Sequence, residues 1–211
     1  NINSAAWSPD GQHILTASDD RTGRVWQADG AGQPIILKGH EGSVWSAAWS
    51  PDQQHIVTAS EDKTARVWNT ADSRGEPVVL RGHEAAVGSA AWSPDGQRIV
   101  SASADKTARV WKADGTGEPV ILRGHEGNVF TAIWSPDGQH VITTSGDRTA
   151  RIWIATVPAL RQVLSGAAAD CLTPEMRRTY LYEFDGESHA GYEACERSYG
   201  RVPFYPATSG S

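Results

Sequence analysis

Short runs of alternating hydrophobic and polar residues fill roughly the first three quarters of the chain, and the same pattern returns four times. In one repeat, Val44–Trp49, His55–Ser60 and Ala65–Trp68 are predicted to be strands, because apolar positions alternate and β-branched side chains are frequent. The turn signal Ser50–Asp52 separates the first two strands, and Pro77–Leu80 predicts a fourth, shorter one. The pattern therefore predicts four antiparallel strands in each complete repeat.

The period of the repeat is marked by tryptophans spaced by 42, 43 and 42 residues: Trp26, Trp68, Trp111 and Trp153. Gly-His pairs keep the same period, at Gly39-His40, Gly82-His83 and Gly124-His125. Four short strands in a repeat of this length are typical of one propeller blade. Serine or threonine, histidine and aspartate return with the same period. Because an active site is normally built once per domain, we interpret these residues as structural and not as a catalytic triad.

The repeats resemble those of the WD-repeat β-propeller family in the Gly-His pair, the Ser-Pro-Asp turn, the aspartate before Lys/Arg-Thr and the closing tryptophan. The resemblance covers Asn1–Trp153. It implies an all-β fold, a β-propeller of four-stranded antiparallel blades within residues 1–154, with the first and last blades incomplete. Propellers have four to eight blades, and this family most often has seven. We therefore expect a fragment of a larger ring, or a half-ring that pairs with a second copy.

The resemblance also implies a hydrogen-bonded tetrad in each complete blade: a histidine before the first strand, a hydroxyl in the second, an aspartate in the following turn and the closing tryptophan. The expected tetrads are His40, Thr58, Asp62 and Trp68; His83, Ser101, Asp105 and Trp111; and His125, Thr143, Asp147 and Trp153. Strand alternation leaves open whether Ser60, Ser103 and Ser145 supply the hydroxyl instead. The first repeat keeps Thr16, Asp20 and Trp26 but has no histidine.

Some positions differ between repeats that are otherwise nearly identical. They flank a residue predicted to point inward (Ile2, Val44, Val87 or Val129) or precede the tetrad aspartate, and in the family such positions face a rim where partners dock. The predicted partner-binding rim consists of Asn3, Asp19, Ser43, Trp45, Glu61, Ala86, Gly88, Asn128 and Phe130. Trp45 and Phe130 would suit interface anchors. The alternative is drift at unconstrained surface positions.

Two further series of polar residues recur in the repeats. The histidines that start strands, His13, His55 and His140, are predicted to be exposed. The strand arginines, Arg24, Arg66, Arg109 and Arg151, are predicted to lie on a solvated surface with interleaved acidic residues. We expect no metal site and no cofactor.

After Trp153 the period ends and a helical pattern begins, which predicts a helical extension over 155–203 and disorder over 204–211. The sequence motifs "CLTPE.RR.YL" and "YEACERSYGR" resemble those of the helical extension that follows propellers in large bacterial signalling proteins. Nothing in the chain matches a phosphate-binding loop or a kinase motif. The two cysteines, Cys171 and Cys195, are either two reduced thiols or one bridge between tail helices.

Composition narrows the classes of partner. The net charge of −6 and the pI of about 5.6 disfavour a general nucleic-acid or anionic-membrane surface, which needs clustered positive charge. No apolar run approaches the ~18 residues that a membrane helix needs, and no signal peptide is visible, so we expect a cytoplasmic protein.

The predicted function is a non-catalytic scaffold or sensor module that binds a protein or peptide, within a larger bacterial signalling protein. The alternative is an architectural half-propeller that dimerises into a closed ring. A hydrolase that uses the repeated His, Ser/Thr and Asp groups is disfavoured.

Overall fold

The computed structural model of the protein describes residues 1–71 and 75–155, together with Glu193. Within these residues, fifteen strands form four antiparallel sheets, which confirms the predicted all-β propeller blades. Blade 1 contains β1 (Ile2–Trp7), β2 (His13–Ser18), β3 (Thr22–Gln27) and β4 (Ile35–Lys38). Blade 2 contains β5 (Val44–Trp49), β6 (His55–Ser60), β7 (Ala65–Asn69) and β8 (Val78–Leu80). Blade 3 contains β9 (Val87–Trp92), β10 (Arg98–Ser103), β11 (Ala108–Lys112) and β12 (Val120–Leu122), and blade 4 contains β13 (Val129–Trp134), β14 (His140–Ser145) and β15 (Ala150–Ile154).

Each blade is a meander in which consecutive strands pair, in the order β5-β6-β7-β8 for blade 2. The observed bounds match the predicted first and second strands. The fourth strand begins at Val78, one residue later than predicted, because Pro77 has no backbone N–H to donate to the neighbouring strand. Blade 4 has three strands within the described residues, as the sequence indicates.

The hydrophobic core lies between consecutive blades. Between blades 2 and 3, Val57, Ala59 and Val67 of one sheet face Val87 and Ile99 of the next, and all five are buried. Equivalent clusters fill the other two junctions. Each blade thus buries its apolar faces only against its neighbours, as in other repeat proteins.

Ile2 keeps the strand register of its equivalents in the other blades, but its side chain is exposed. The equivalent residues Val44, Val87 and Val129 are buried because a preceding blade covers them. Blade 1 has no described neighbour on that side, and the Ile2 side chain is 55% exposed. The opposite face of blade 4 is also open, where Ile152 is 73% exposed.

The histidines at strand starts are half-buried, so the prediction that they are exposed is wrong. The ring of His13 lies 6.1 Å from the ring of Trp49 in the next blade, and His55 lies 6.0 Å from Trp92 in the same way. Periodicity within one repeat gave no sign of this contact, because the contact joins two repeats.

A β-bulge lies near the start of the innermost strand of each blade. In blade 2, Val44 pairs with Ser60 and Ser46 pairs with Ala59, which leaves Trp45 as the extra residue. The same shift occurs at Asn3, Gly88 and Phe130. Bulges bend a strand and redirect side chains, so four of the predicted rim positions fall where the pairing is interrupted.

The predicted tail lies almost entirely outside the described residues, and so do both cysteines. Of the range 155–203, only Ala155 and Glu193 are described, and Glu193 is helical. In the described part of the chain, no helix has the length and apolar character needed to cross a membrane.

Candidate functional site

A chain of hydrogen bonds crosses blade 2 from the third strand to the loop that precedes the first. The indole Nε1 of Trp68 donates to Thr58 Oγ1 over 2.8 Å, and Thr58 Oγ1 lies 2.7 Å from His40 Nε2. The other ring nitrogen, Nδ1 of His40, lies 2.7 Å from Asp62 Oδ2. All four groups are satisfied when the hydroxyl donates to Nε2 and a neutral imidazole donates from Nδ1 to the carboxylate.

Blades 3 and 4 contain the same arrangement. In blade 3 the distances are 2.8 Å from Trp111 to Ser101, 2.8 Å from Ser101 to His83 and 2.7 Å from His83 to Asp105. In blade 4 they are 2.8 Å from Trp153 to Thr143, 2.7 Å from Thr143 to His125 and 2.7 Å from His125 to Asp147. The structure therefore brings together all twelve residues of the three expected tetrads.

The serines at the ends of the second strands have a different role. Ser60 Oγ donates to the carbonyl of Gly42 over 3.1 Å and accepts the backbone amide of Asp62. Ser103 and Ser145 make the equivalent bonds. These serines hold the turn that presents the aspartate, and the tetrad hydroxyl comes from the residue two positions earlier.

The aspartates of the tetrads are stabilised as carboxylates. Burial by itself would raise the pKa of Asp62, but hydrogen bonds from Thr64, His40 and the Glu41 amide outweigh it and lower the pKa to about 2. Burial opposes the shift at Asp105 too, where bonds from His83 and Thr107 lower the pKa. The pKa of His40 is lowered, chiefly because burial disfavours the imidazolium and despite the neighbouring Asp62. The lowered pKa of each group favours a neutral histidine beside an ionised aspartate.

The tetrad has the residue types of a catalytic triad, but a substrate could not reach its hydroxyl group. The side chains of Thr58, Ser101 and Thr143 are fully buried, and each hydroxyl is already bonded to an indole and an imidazole. A nucleophile must reach a substrate, and an oxyanion needs donors of its own. The geometry supports a structural role that ties a loop between blades to the interior of one blade.

Blade 1 shows what remains without the histidine. Trp26 Nε1 still donates to Thr16 Oγ1, over 3.0 Å, but Trp26 is 37% exposed whereas Trp68 is buried. Asp20 pairs with Arg24 at 2.5 Å, whereas the equivalent Asp62 and Arg66 of blade 2 lie 3.7 Å apart.

Arg109, the strand arginine of blade 3, is buried, and the side chain of Arg66 in blade 2 is only 11% exposed, so the prediction of a solvated surface is wrong for both. Nη2 of Arg66 lies 3.7 Å from Asp62 Oδ2, and Arg109 lies 3.9 Å from Asp105. A Cβ atom at Gly39 would approach Arg66 Nη1 to 2.6 Å, so the glycine of the Gly-His pair leaves room for the guanidinium. Sequence reasoning missed this role, although the recurrence of glycine with arginine was the available signal.

The predicted rim residues gather at one end of the strands, where the bulges and the aspartate turns meet. Glu61 N donates to Ser43 O over 2.9 Å, and Ala104 and Gly146 make the same backbone bond to Ala86 and Asn128. At the bulges, Trp45 is 37% exposed and Phe130 is 56% exposed. The Phe130 ring lies over the backbone of Gly146, where a Cβ would approach its Cζ to 3.2 Å.

The rim of blade 1 is polar. Asn3 Nδ2 donates to Asp19 Oδ1 over 2.7 Å and to the carbonyl of Val44 in blade 2 over 2.9 Å. Asn1 bonds the other oxygen of Asp19 over 2.9 Å. These bonds lower the pKa of Asp19, so the rim carries a fixed negative charge at this position. No cluster of three potential metal ligands occurs among the described residues.

We expect His83→Ala to lower the free energy of unfolding by about 3 kcal/mol, because it removes the buried imidazole that accepts from the Ser101 hydroxyl and donates to the Asp105 carboxylate. Urea denaturation measures the change. His140→Ala is the matched control, since His140 has no tetrad bond, and it should change the value by less than about 1 kcal/mol. Equal stabilities of the two variants would contradict the structural role of the tetrad.

We expect stability to fall as the pH drops below about 6.5, the pKa of histidine in an unfolded chain. His40 has a lowered pKa in the folded state, so between that value and 6.5 the unfolded chain binds more protons. The loss is at most about 1.4 kcal/mol per pH unit for this histidine. The stabilising effect of ionised Asp62 persists above about 3.9 and disappears as the pH falls towards 2.

Urea denaturation at pH 7.5 and pH 5.5 tests this dependence, and His40→Gln should reduce the difference between the two values. A difference that His40→Gln leaves unchanged would exclude this histidine as its source.

Comparison with known families identifies the repeat. The sequence profile of the WD domain, G-beta repeat, matches residues 1–27, 33–69, 76–112 and 118–153, one match for each blade. No curated protein matches the chain. The matched repeats span well over half of the sequence and coincide with the four sheets. The chain therefore belongs to the WD40 family of G-beta repeat proteins.

Proposed function

We propose that the four blades form a non-catalytic interaction module that docks a protein or peptide partner on the rim. WD40 repeat domains are in general non-catalytic scaffolds that bind proteins. The observation that carries this proposal is the pair of exposed aromatic side chains, Trp45 and Phe130, at equivalent bulges. Aromatic residues that protrude from a rigid scaffold are typical anchors of protein interfaces.

The residues between the two aromatic side chains are small. Blade 3 carries Gly88 at its bulge, with Ala86 and Ala104 beside it. A Cβ at Gly88 would lie 3.3 Å from the carbonyl oxygen of Phe130, so the backbones of blades 3 and 4 are close here. The small residues between Trp45 and Phe130 leave room for an apolar side chain of a partner.

The setting of the module is part of the proposal. We propose that it is a cytoplasmic module of a larger bacterial signalling protein. This part of the proposal is based on the sequence motifs after Trp153, which resemble those of such proteins. The net charge of −6 supports a protein partner over a nucleic acid or an anionic membrane.

We expect Trp45→Ala combined with Phe130→Ala to reduce partner binding at least tenfold without a change in fold, because both side chains protrude and neither belongs to the core. Peptides selected from a display library against the wild-type chain provide the ligand, and biolayer interferometry measures binding. Val78→Ala combined with Val120→Ala is the control, since these side chains are exposed on outer strands. Selected peptides that bind the aromatic double variant as tightly as the wild type would exclude the rim.

Self-assembly is the second candidate, and the open faces of the end blades favour it. Trp7 on blade 1 is 63% exposed, and Ile133 on blade 4 is 54% exposed. However, Ile133 occupies the position of Ala91 in blade 3, and Thr144 occupies that of Ala102. The outer face of blade 4 therefore carries larger side chains than the equivalent faces that pack inside the array. Blade 1 of a second copy could not pack against it as closely as one blade packs on the next.

We accordingly expect concentration-dependent association without a discrete dimer, measured by light scattering on a sizing column. Trp7→Asp combined with Ile152→Asp should reduce this association, because it places charges on both open faces. A discrete dimer that persists on dilution would contradict the steric argument and support closure of two half-rings.

A further inference from the structure

Grooves lie between consecutive blades at the ends of the strands opposite to the rim. The groove between blades 2 and 3 has a volume of about 680 Å³ and is lined by Asp52, His55, Trp92, Gly96 and Ala113, among others. The groove between blades 1 and 2 is half that size, about 340 Å³. The three junctions use equivalent positions of the repeat, so their differences show what each groove accepts.

At the junction of blades 3 and 4, the guanidinium of Arg98 occupies the place that corresponds to these grooves. Arg98 Nη1 donates to the carbonyl of Ala155 over 3.1 Å, and Nη2 donates to the carbonyl of Gly138 over 3.2 Å. Nη2 also lies 3.5 Å from Asp95 Oδ2. The guanidinium carbon is 4.5 Å from the centre of the Trp134 ring, a cation–π contact. Two carbonyls, a carboxylate and an indole thus form a complete cradle for arginine.

Each part of this cradle has a counterpart at the junction of blades 2 and 3. Asp52 supplies the carboxylate and Trp92 the indole, and Gly96 and Ala113 carry the two carbonyls. The arginine itself is replaced by His55. The shorter imidazole lies 6.0 Å from the Trp92 ring and is tilted by 40°. Among the residues that the structure describes, this cradle is therefore present without the guanidinium that occupies its counterpart in the next junction.

The junction of blades 1 and 2 is closed in a third way. There the amide nitrogen of Gln53, in the orientation that satisfies its neighbours, lies 3.0 Å from Asp10 Oδ2 and 3.2 Å from Oδ1. The position of Gln53 is taken by Gly96 in blade 3, which has no side chain to cover Asp52. Among the described residues, the bonds to Asp52 come from Ser50 Oγ and the Gln54 amide, and both go to Oδ1.

The charges around the larger groove favour a cation. Glu76 and Asp114 line it together with Asp52, and Lys112 is the lysine in the lining. The Arg98 stem lines the groove too, but its guanidinium is held at the next junction. Hydrogen bonds from Ser50 and the Gln54 amide lower the pKa of Asp52, so its carboxylate is ionised at neutral pH.

We propose that the groove between blades 2 and 3 binds the guanidinium of an arginine side chain that a partner polypeptide supplies. The planar cation stacks on Trp92 and bonds Asp52 and the carbonyls of Gly96 and Ala113, as Arg98 does one blade later. A lysine ammonium lacks the planar fork that these acceptors match. The groove is separate from the rim, so a partner can engage both ends of the strands.

The test uses the full chain and the blocked tripeptide acetyl-Gly-Arg-Gly-amide, with citrulline and lysine versions as controls. Titration followed by NMR should shift the indole N–H signal of Trp92, identified by its loss in Trp92→Phe, and leave that of Trp134 in place. We expect the arginine peptide to bind at least tenfold more tightly than the citrulline peptide, which keeps the shape but not the charge. Equal binding of the arginine and citrulline peptides would overturn the proposal.

Four variants of the chain provide matched comparisons. Asp52→Asn should weaken binding about tenfold, because it removes a charge-assisted hydrogen bond, whereas Asp10→Asn at the smaller groove should have no effect. His55→Arg should abolish binding by filling the cradle while the chain stays folded. Arg98→His should add a second site that shifts Trp134.

Two further results would overturn the proposal. The first is binding that survives His55→Arg. The second is tighter binding of free arginine than of the blocked peptide, which would assign the groove to a small guanidino compound.

Discussion

The hydrogen bonds that run from the closing tryptophan through a hydroxyl and a histidine to an aspartate hold each complete blade in place. They join the third strand, the second strand, the turn between them and the loop that arrives from the previous blade. Each member is a polar group that burial would otherwise penalise by about 1–3 kcal/mol, so the set is stable only when every bond is made. His40 links the loop to the blade because both of its ring nitrogens are used.

The bonds also order the surroundings of the closing tryptophan. In blade 1, Trp26 keeps its bond to Thr16 and is 37% exposed. Where the Gly-His pair is present, the histidine ring also covers the tryptophan edge, with ring centres 6.0–6.2 Å apart. The loop, the indole and the aspartate turn are therefore ordered together, and the rim that these turns form takes its rigidity from the same bonds.

The strands and the tetrads could be predicted from the sequence because both follow the period of one repeat. Strand alternation gave the bounds of Val44–Trp49 and His55–Ser60. Alternation could not separate Thr58 from Ser60, since both are buried and lie two residues apart on one face. The difference comes from the turn, which places the Ser60 hydroxyl under the amide of Asp62.

Contacts between blades could not be predicted in this way. The stacking of His55 on Trp92, the burial of Arg109 and the exposure of Ile2 all depend on which sheet lies beside which. The sequence of one repeat gives no information about its neighbours. The roles of His55 and Arg98 become clear only when the tryptophan of the next blade is placed beside them. The bulges were also invisible, because one extra residue does not disturb a short hydrophobic pattern.

The bulges separate recognition from folding in this chain. A bulged residue takes no part in strand pairing, so its side chain can change while the register on both sides stays the same. Four nearly identical blades carry asparagine, tryptophan, glycine and phenylalanine at this one position. An array that grew by duplication of a single blade would begin with a uniform surface. Through this position it can acquire an asymmetric surface one residue at a time, on a scaffold that remains symmetric.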